Sequence, residues 1–101
     1  MKYNLPKVLL SNVRSLHNKL DDLATVANVN DIDVIALTET WFDLHTPLDQ
    51  YYLPDCALFS KHRNGRTGGG VALYAKHHLN PKLLSVNAPD NVEALWVHLR
   101  P

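Results

Sequence analysis

Two apolar runs decide the fold of this sequence: Val8-Leu9-Leu10, and further along Asp33-Val34-Ile35-Ala36-Leu37-Thr38. Apolar and polar residues do not alternate in either run, which is typical of strands that are covered on both faces. Between the runs, apolar side chains recur at helical spacing, and Ser15 can cap the helix that they predict. These apolar positions are Leu16, Leu20, Leu23 and Ala27. A strand, a helix and a strand in this order predict a βαβ unit with parallel strands.

The rest of the sequence predicts four more strands. Residues 42–55 contain two prolines and predict a long connection with room for a helical turn. Strands at 56–59 and 71–75 should form a hairpin, and strands at 83–86 and 92–99 should flank a turn at 87–91. This pattern predicts the α/β class, with a mixed sheet opened by the βαβ unit. One helix cannot cover both faces of such a sheet, so we expect further chain, or a partner associating through the uncovered face, to complete the core.

Composition narrows the class of protein. The 101 residues are 46% hydrophobic, which predicts one soluble globular domain. Ten basic and ten acidic residues give a formal net charge of zero, so nucleic acid could bind only through a local patch. The single cysteine, Cys56, cannot form an internal disulfide, which favours an intracellular compartment. The short apolar run at 8–10 is neither a signal sequence nor a membrane span, so no membrane partner is expected.

Two polar residues follow the predicted parallel strands. Asn12 comes after the first strand and Glu39 after the second. Because ligands bind beyond the carboxyl ends of parallel strands, we expect both side chains at one edge of the sheet. A carboxylate in such a place is a suitable ligand for Mg²⁺, and an amide can orient a phosphate. The alternative is structural, with Glu39 as a solvated acid at a strand end and Asn12 as a turn residue.

A short basic segment joins the strands of the predicted hairpin. Lys61, Arg63 and Arg66 carry permanent positive charge and could bind backbone phosphates without reading sequence, or could simply be solvated. The Gly68-Gly69-Gly70 run that follows matches no nucleotide-binding pattern and indicates backbone freedom at the start of a strand. The two tryptophans, Trp41 and Trp96, are expected to pack in the core or against a further layer.

Four motifs in order resemble the endonuclease domain of LINE-type (non-LTR) retrotransposons, a branch of the DNase I-like endonuclease/exonuclease/phosphatase superfamily. They are Asn12-Val13-Arg14-Ser15-Leu16-His17-Asn18-Lys19, Leu37-Thr38-Glu39-Thr40-Trp41, Arg66-Thr67-Gly68-Gly69-Gly70-Val71-Ala72-Leu73-Tyr74 and Glu93-Ala94-Leu95-Trp96-Val97. The resemblance implies a four-layer α/β sandwich that hydrolyses phosphodiester bonds with a divalent metal, usually Mg²⁺. In retrotransposons this domain nicks target DNA to prime reverse transcription, which implies DNA as partner and the nucleus as location.

The resemblance also assigns roles to residues and predicts what is missing. Glu39 would be the metal-binding glutamate, and Asn12 would lie beside the scissile phosphate. The family's catalytic tyrosine, its D-x-N motif and its terminal S-D-H motif would all lie beyond Pro101. Residues 1–101 are therefore expected to be the N-terminal half of the domain, inactive alone. The alternatives are a non-catalytic module that binds nucleic acid or protein, and a translated retrotransposon remnant.

Overall fold

The computed structural model describes residues 5–62, 68–86 and 92–101. Along the chain come β1 (Val8–Asn12), α1 (Leu20–Val29), β2 (Val34–Thr38), a short 3-10 helix (Leu48–Tyr51), β3 (Cys56–Lys61) and β4 (Val71–Lys76). A second 3-10 turn (His77–Leu79) precedes the two-residue strands β5 (Lys82–Leu83) and β6 (Val97–His98). No helix among these residues is long and apolar enough to cross a membrane.

The four longer strands form one mixed sheet in the order β1-β2-β4-β3. β1 and β2 are parallel, while β4 is antiparallel to both β2 and β3. The predicted α/β class, the βαβ unit and the hairpin of β3 and β4 are thus confirmed. The last two strands pair antiparallel with each other in a separate small sheet, and they are much shorter than the predicted strands at 83–86 and 92–99.

The helix begins later than the sequence pattern predicts. α1 starts at Leu20, and Ser15 does not cap it, because Arg14, Ser15 and Asn18 all have positive φ, which ends any helical conformation. Leu16 is fully buried within the preceding loop rather than on the helix. The Lys19 ammonium group donates to the carbonyl oxygens of Val13 and Arg14, and so fixes the loop before the helix.

The main core lies between α1 and the sheet. Leu16, Leu37 and Tyr74 are its most buried members, and the partly buried Leu20, Leu23 and Ala27 of α1 pack against it. On the opposite face, Leu79 and Leu99 pack near Val34 and Ala75. The β1 side chains on that face stay open, since Val8 is 59% and Leu10 is 72% exposed. As the sequence pattern predicts, one face of the sheet is therefore only partly covered within the described residues.

Tyr74 links the sheet to the long connection between β2 and β3. Its ring is buried in the main core, and its hydroxyl group donates a hydrogen bond to the backbone oxygen of Tyr51. Burial, with smaller contributions from Tyr51 and Cys56, raises the pKa of the Tyr74 hydroxyl far above its ordinary value of 10.0. The hydroxyl group therefore keeps its proton in the folded state at a pH where the unfolded chain loses it.

We predict that Tyr74→Phe changes stability in two ways. At pH 7 the variant should lose about 1 kcal/mol with the hydrogen bond to Tyr51. In the wild type, the free energy of unfolding should fall by up to about 1.4 kcal/mol per pH unit above about pH 10, because the unfolded state releases the Tyr74 proton first. In the variant, the free energy of unfolding should fall less steeply with pH, because the Tyr74 proton no longer contributes. Urea unfolding at several pH values measures it, with the exposed Tyr52→Phe as control, and equal pH dependence in wild type and Tyr74→Phe would contradict it.

Candidate active-site rim

Asn12 and Glu39 come to the same edge of the sheet because β1 and β2 are parallel and end together. Asn12, the last residue of β1, lies opposite Thr38, the last residue of β2, and Glu39 follows directly. Neighbouring strands are about 4.8 Å apart, so the two residues occupy adjacent positions. Asn12 is exposed and Glu39 is partly buried. We call this edge the rim, and it comprises residues 12–16, 39–41 and 68–70, together with Glu93, which contacts Gly70.

Backbone pairing continues past the ends of both strands. The backbone N–H of Val13 donates to the oxygen of Thr38 (3.0 Å), that of Ser15 to Glu39 (2.7 Å) and that of Leu16 to Thr40 (3.0 Å). The loop after Asn12 therefore follows the segment that carries Glu39, with Arg14 as an extra residue between the paired positions. This pairing fixes the main chain of Glu39 from the β1 side.

Trp41 and Gly69 both donate hydrogen bonds to the carboxylate of Glu39. Its Oε2 accepts from the indole Nε1 of Trp41 at 2.9 Å and from the backbone N–H of Gly69 at 3.1 Å. Hydrogen bonds to an ionised acceptor are stronger than neutral ones, and two donors restrict the rotation of the carboxylate. Trp41 itself is 49% exposed and Trp96 is 51% exposed, so neither packs in the core of the described residues, while packing against a further layer stays a prediction. For Trp41 the reason is that its indole turns toward a rim carboxylate.

The glycine run packs against the turn that carries Glu39. The backbone N–H groups of Thr40 and Trp41 donate to the oxygens of Gly70 (3.3 Å) and Gly69 (2.9 Å). Gly68, Gly69 and Gly70 all have positive φ, in keeping with the predicted backbone freedom. A Cβ atom on Gly70 would overlap the Thr40 hydroxyl oxygen, whereas one on Gly68 would meet open space. Only a glycine at position 70 allows this close approach.

The rim also concentrates unusual backbone conformations. Positive φ in a non-glycine residue costs about 1 kcal/mol or more and persists only where surrounding contacts enforce it. Four such residues lie here: Arg14, Ser15, Glu39 and Trp41. The hydrogen bonds of Ser15, Glu39 and Trp41 described above are the contacts that enforce it. Such strain is common at functional sites.

One acidic residue at the rim was missed as a site residue. The sequence predicts no site role for Glu93, which appears there only as part of a motif. In the structure its Oε1 accepts a 2.6 Å hydrogen bond from the backbone N–H of Gly70. Its position in the chain carries no signal for this, because residue 93 follows the main sheet and reaches the rim only through the tertiary fold. The chain contains two glutamates, and both accept hydrogen bonds from neighbouring glycine amides.

The three basic residues expected to bind phosphate are only partly described. Lys61 ends β3, and its ammonium group donates to the backbone oxygen of Val92 at 3.2 Å. This bond holds the segment that carries Glu93, so Lys61 has a structural contact beside any contact with phosphate. Arg63 and Arg66 lie outside the described residues.

The metal ligands available at the rim are few. Within residues 5–62, 68–86 and 92–101, no three His, Cys, Asp or Glu side chains come together in a way that could hold a metal ion. The fixed Glu39 carboxylate fits the one or two carboxylates that Mg²⁺ ordinarily takes from a protein, with water and substrate oxygens as its other ligands.

A cleft of about 310 Å³ lies at the other end of the sheet, among residues that include Asp33, Cys56 and Lys76. The cleft is separate from the rim.

Comparison with known proteins places the chain in a family. Residues 9–101 match the model of the Endonuclease/Exonuclease/phosphatase family. The fold is similar to the structure of an AP endonuclease from Archaeoglobus fulgidus, with a TM-score of 0.58 and 18% sequence identity. The similarity covers 70% of this chain and 27% of that one, so the chain spans about a quarter of the solved enzyme. No curated protein sequence matches significantly. The mixed sheet is consistent with part of a DNase I-like fold.

We predict that Gly70→Ala is more destabilising than Gly68→Ala. Both substitutions place a side chain at positive φ, which costs about 1–2 kcal/mol. Only the methyl group at position 70 collides with Thr40, which should add about 1–3 kcal/mol of overpacking. Thermal or urea unfolding of both variants measures the difference. Equal losses of stability would show that the contact between Gly70 and Thr40 is unimportant.

Proposed function

The chain belongs to the endonuclease/exonuclease/phosphatase family, and we propose that its rim is part of the active site of a Mg²⁺-dependent endonuclease that nicks DNA. The observation that carries this proposal is the Glu39 carboxylate, held by Trp41 and Gly69 at the strand end next to Asn12. A preorganised carboxylate at such an edge is suited to cation binding, since it needs no rearrangement when the ion arrives. The family is generally metal-dependent, and Mg²⁺ is the ion that we propose.

Each rim residue has a proposed role. Glu39 would hold the Mg²⁺ ion, which when bound supplies positive charge to a phosphodiester oxygen. The exposed Asn12 amide, one strand away, would donate to an oxygen of the same phosphate and so orient it. Trp41 and Gly69 keep the Glu39 carboxylate in place through the bonds at 2.9 and 3.1 Å. In this proposal the rim residues therefore bind the metal ion and orient the phosphate.

We further propose that residues 1–101 have little activity alone. Hydrolysis also needs a group that positions the attacking water and further groups that stabilise charge on the phosphate. Among the described residues, Glu39 and Asn12 supply only part of this set. Val8 and Leu10 lie on the uncovered sheet face, where further protein would complete the core and bring the remaining groups.

The biological setting that we propose is a retrotransposon of the LINE type. The support is the set of four sequence motifs, which lie in order along the chain. In that setting the domain would act in the nucleus and nick target DNA so that a linked reverse transcriptase can prime on it. A translated remnant of such an element would carry the same motifs without present activity.

We predict that joining residues 1–101 to the second half of a family member produces Mg²⁺-dependent nicking of supercoiled plasmid. Glu39→Gln keeps an oxygen for Trp41 and Gly69 but removes the charge, so the nicking rate should fall by about 100-fold or more. Asp31→Asn is the matched control, because Asp31 is exposed at the opposite end of the sheet and asparagine tolerates its positive φ. Undiminished nicking by Glu39→Gln would rule out Glu39 as the metal-binding residue.

A second function, DNA binding without cleavage, is favoured by the half-exposed Trp41 and by the basic segment that leads into Gly68. We predict that replacing Lys61, Arg63 and Arg66 with glutamine weakens binding to duplex DNA and lowers the salt dependence of log Kd by about one unit per lost phosphate contact. The control is a second triple variant with glutamine at Lys7, Lys76 and Lys82. These residues lie away from the rim, and their replacement removes the same three positive charges. Fluorescence anisotropy over a salt series measures the Kd for duplex DNA and its salt dependence. Equal weakening of DNA binding by the two triple variants would exclude a specific basic site.

A further inference from the structure

Glu93 lies one hydrogen bond away from the backbone that holds Glu39. The first step is the 2.6 Å bond from the Gly70 N–H to Glu93 Oε1. Gly70 is buried, so this carboxylate satisfies an amide that water reaches poorly. The bond is short and its acceptor is a carboxylate oxygen, which makes it one of the stronger contacts at the rim.

The second step runs along the main chain to Glu39. Gly69 precedes Gly70, and the rigid peptide between them contains the Gly70 N–H and the Gly69 carbonyl oxygen, so fixing the first restricts the second. The Gly69 N–H donates to Glu39 Oε2 at 3.1 Å, while its carbonyl oxygen accepts from the Trp41 N–H at 2.9 Å. The rigid peptide therefore links Glu93 to Trp41, whose indole donates to Glu39, and the N–H of the same Gly69 donates to the Glu39 carboxylate.

The third step explains how Glu93 is itself fixed. The Lys61 ammonium group, at the end of β3, donates to the backbone oxygen of Val92 at 3.2 Å, directly before Glu93. β3 pairs with β4, and the register places Lys61 opposite Val71, next to Gly70. The segment at Glu93 is thus tied to the same strand pair whose end carries the glycines.

We propose that Glu93 is a positioning residue for Glu39, acting through the Gly69-Gly70 backbone. This inference rests on the proposed function, because Glu39 needs an exact orientation only if it binds a cation. Glu93 does not touch the cation in this proposal. Glycine backbones have little intrinsic preference for one conformation, so the rim needs an anchor at this point, and the Glu93 carboxylate supplies it.

The test uses the ¹⁵N-labelled chain and two substitutions that separate charge from reach. Glu93→Gln keeps an oxygen at the same distance, whereas Glu93→Asp keeps the charge on a shorter side chain that cannot reach Gly70 unless the backbone moves. The readouts are the Gly69 amide and Trp41 indole resonances without metal, and then the apparent Kd for Mg²⁺ obtained from their shifts. Trp96→Phe distinguishes the two indole signals, and Asp31→Asn is the control for loss of a carboxylate.

We expect Glu93→Asp to move the Gly69 and Trp41 signals and to raise the Mg²⁺ Kd about 10-fold, whereas Glu93→Gln leaves both near their wild-type values. If Glu93→Asp moves the Gly70 amide signal alone, transmission to Glu39 does not occur and the proposal is overturned. If Glu93→Gln abolishes Mg²⁺ binding without moving the metal-free signals, Glu93 is a ligand instead. Wild-type signals that do not respond to Mg²⁺ would contradict the proposed function, while the metal-free shifts would still decide the role of Glu93.

Discussion

Thr40 and Trp41 donate their backbone N–H groups to the carbonyl oxygens of Gly70 and Gly69, and the arrangement of the rim depends on this contact. It brings the turn after β2 against the start of β4 so closely that Gly70 has no room for a side chain. Once the two segments are in contact, the Gly69 amide meets the Glu39 carboxylate and the Gly70 amide meets Glu93. The positions of both carboxylates at this site thus depend on the packing of these two backbone segments.

The sheet supplies the stability that the rim uses. Positive φ in non-glycine residues opposes folding, yet Glu39 and Trp41 both have it. The buried Leu37 lies two residues before Glu39, and the buried Leu16 donates its backbone N–H to the oxygen of Thr40. Burial of one leucine side chain contributes about 1.5–3 kcal/mol. The same core residues fix the ends of β1 and β2. Strain at the rim can therefore persist because the adjoining core holds both of its flanking segments.

The uncovered face connects the fold to the proposed function. A parallel pair of strands is ordinarily covered on both faces, but on one face Val8 and Leu10 remain exposed. At the rim, the carboxylates of Glu39 and Glu93 accept hydrogen bonds from the backbone amides of Gly69 and Gly70, and Glu39 accepts one more from the Trp41 indole. The uncovered face fits a chain that spans about a quarter of a similar solved enzyme.

The sequence alone determined the βαβ unit, the hairpin of β3 and β4, and the common edge of Asn12 and Glu39, because these depend on local apolar patterns and on the geometry of parallel strands. It misplaced the helix start, since Leu16 fits the helical spacing but is buried in a loop whose positive φ depends on contacts with residues 39–40. Only the tertiary structure decided the exposure of Trp41 and the presence of Glu93 at the rim. The turn that directs the Trp41 indole to Glu39 is held by Gly69, and Glu93 reaches the rim through Gly70. Both arrangements depend on hydrogen bonds between segments distant in sequence, which no periodicity in the chain indicates.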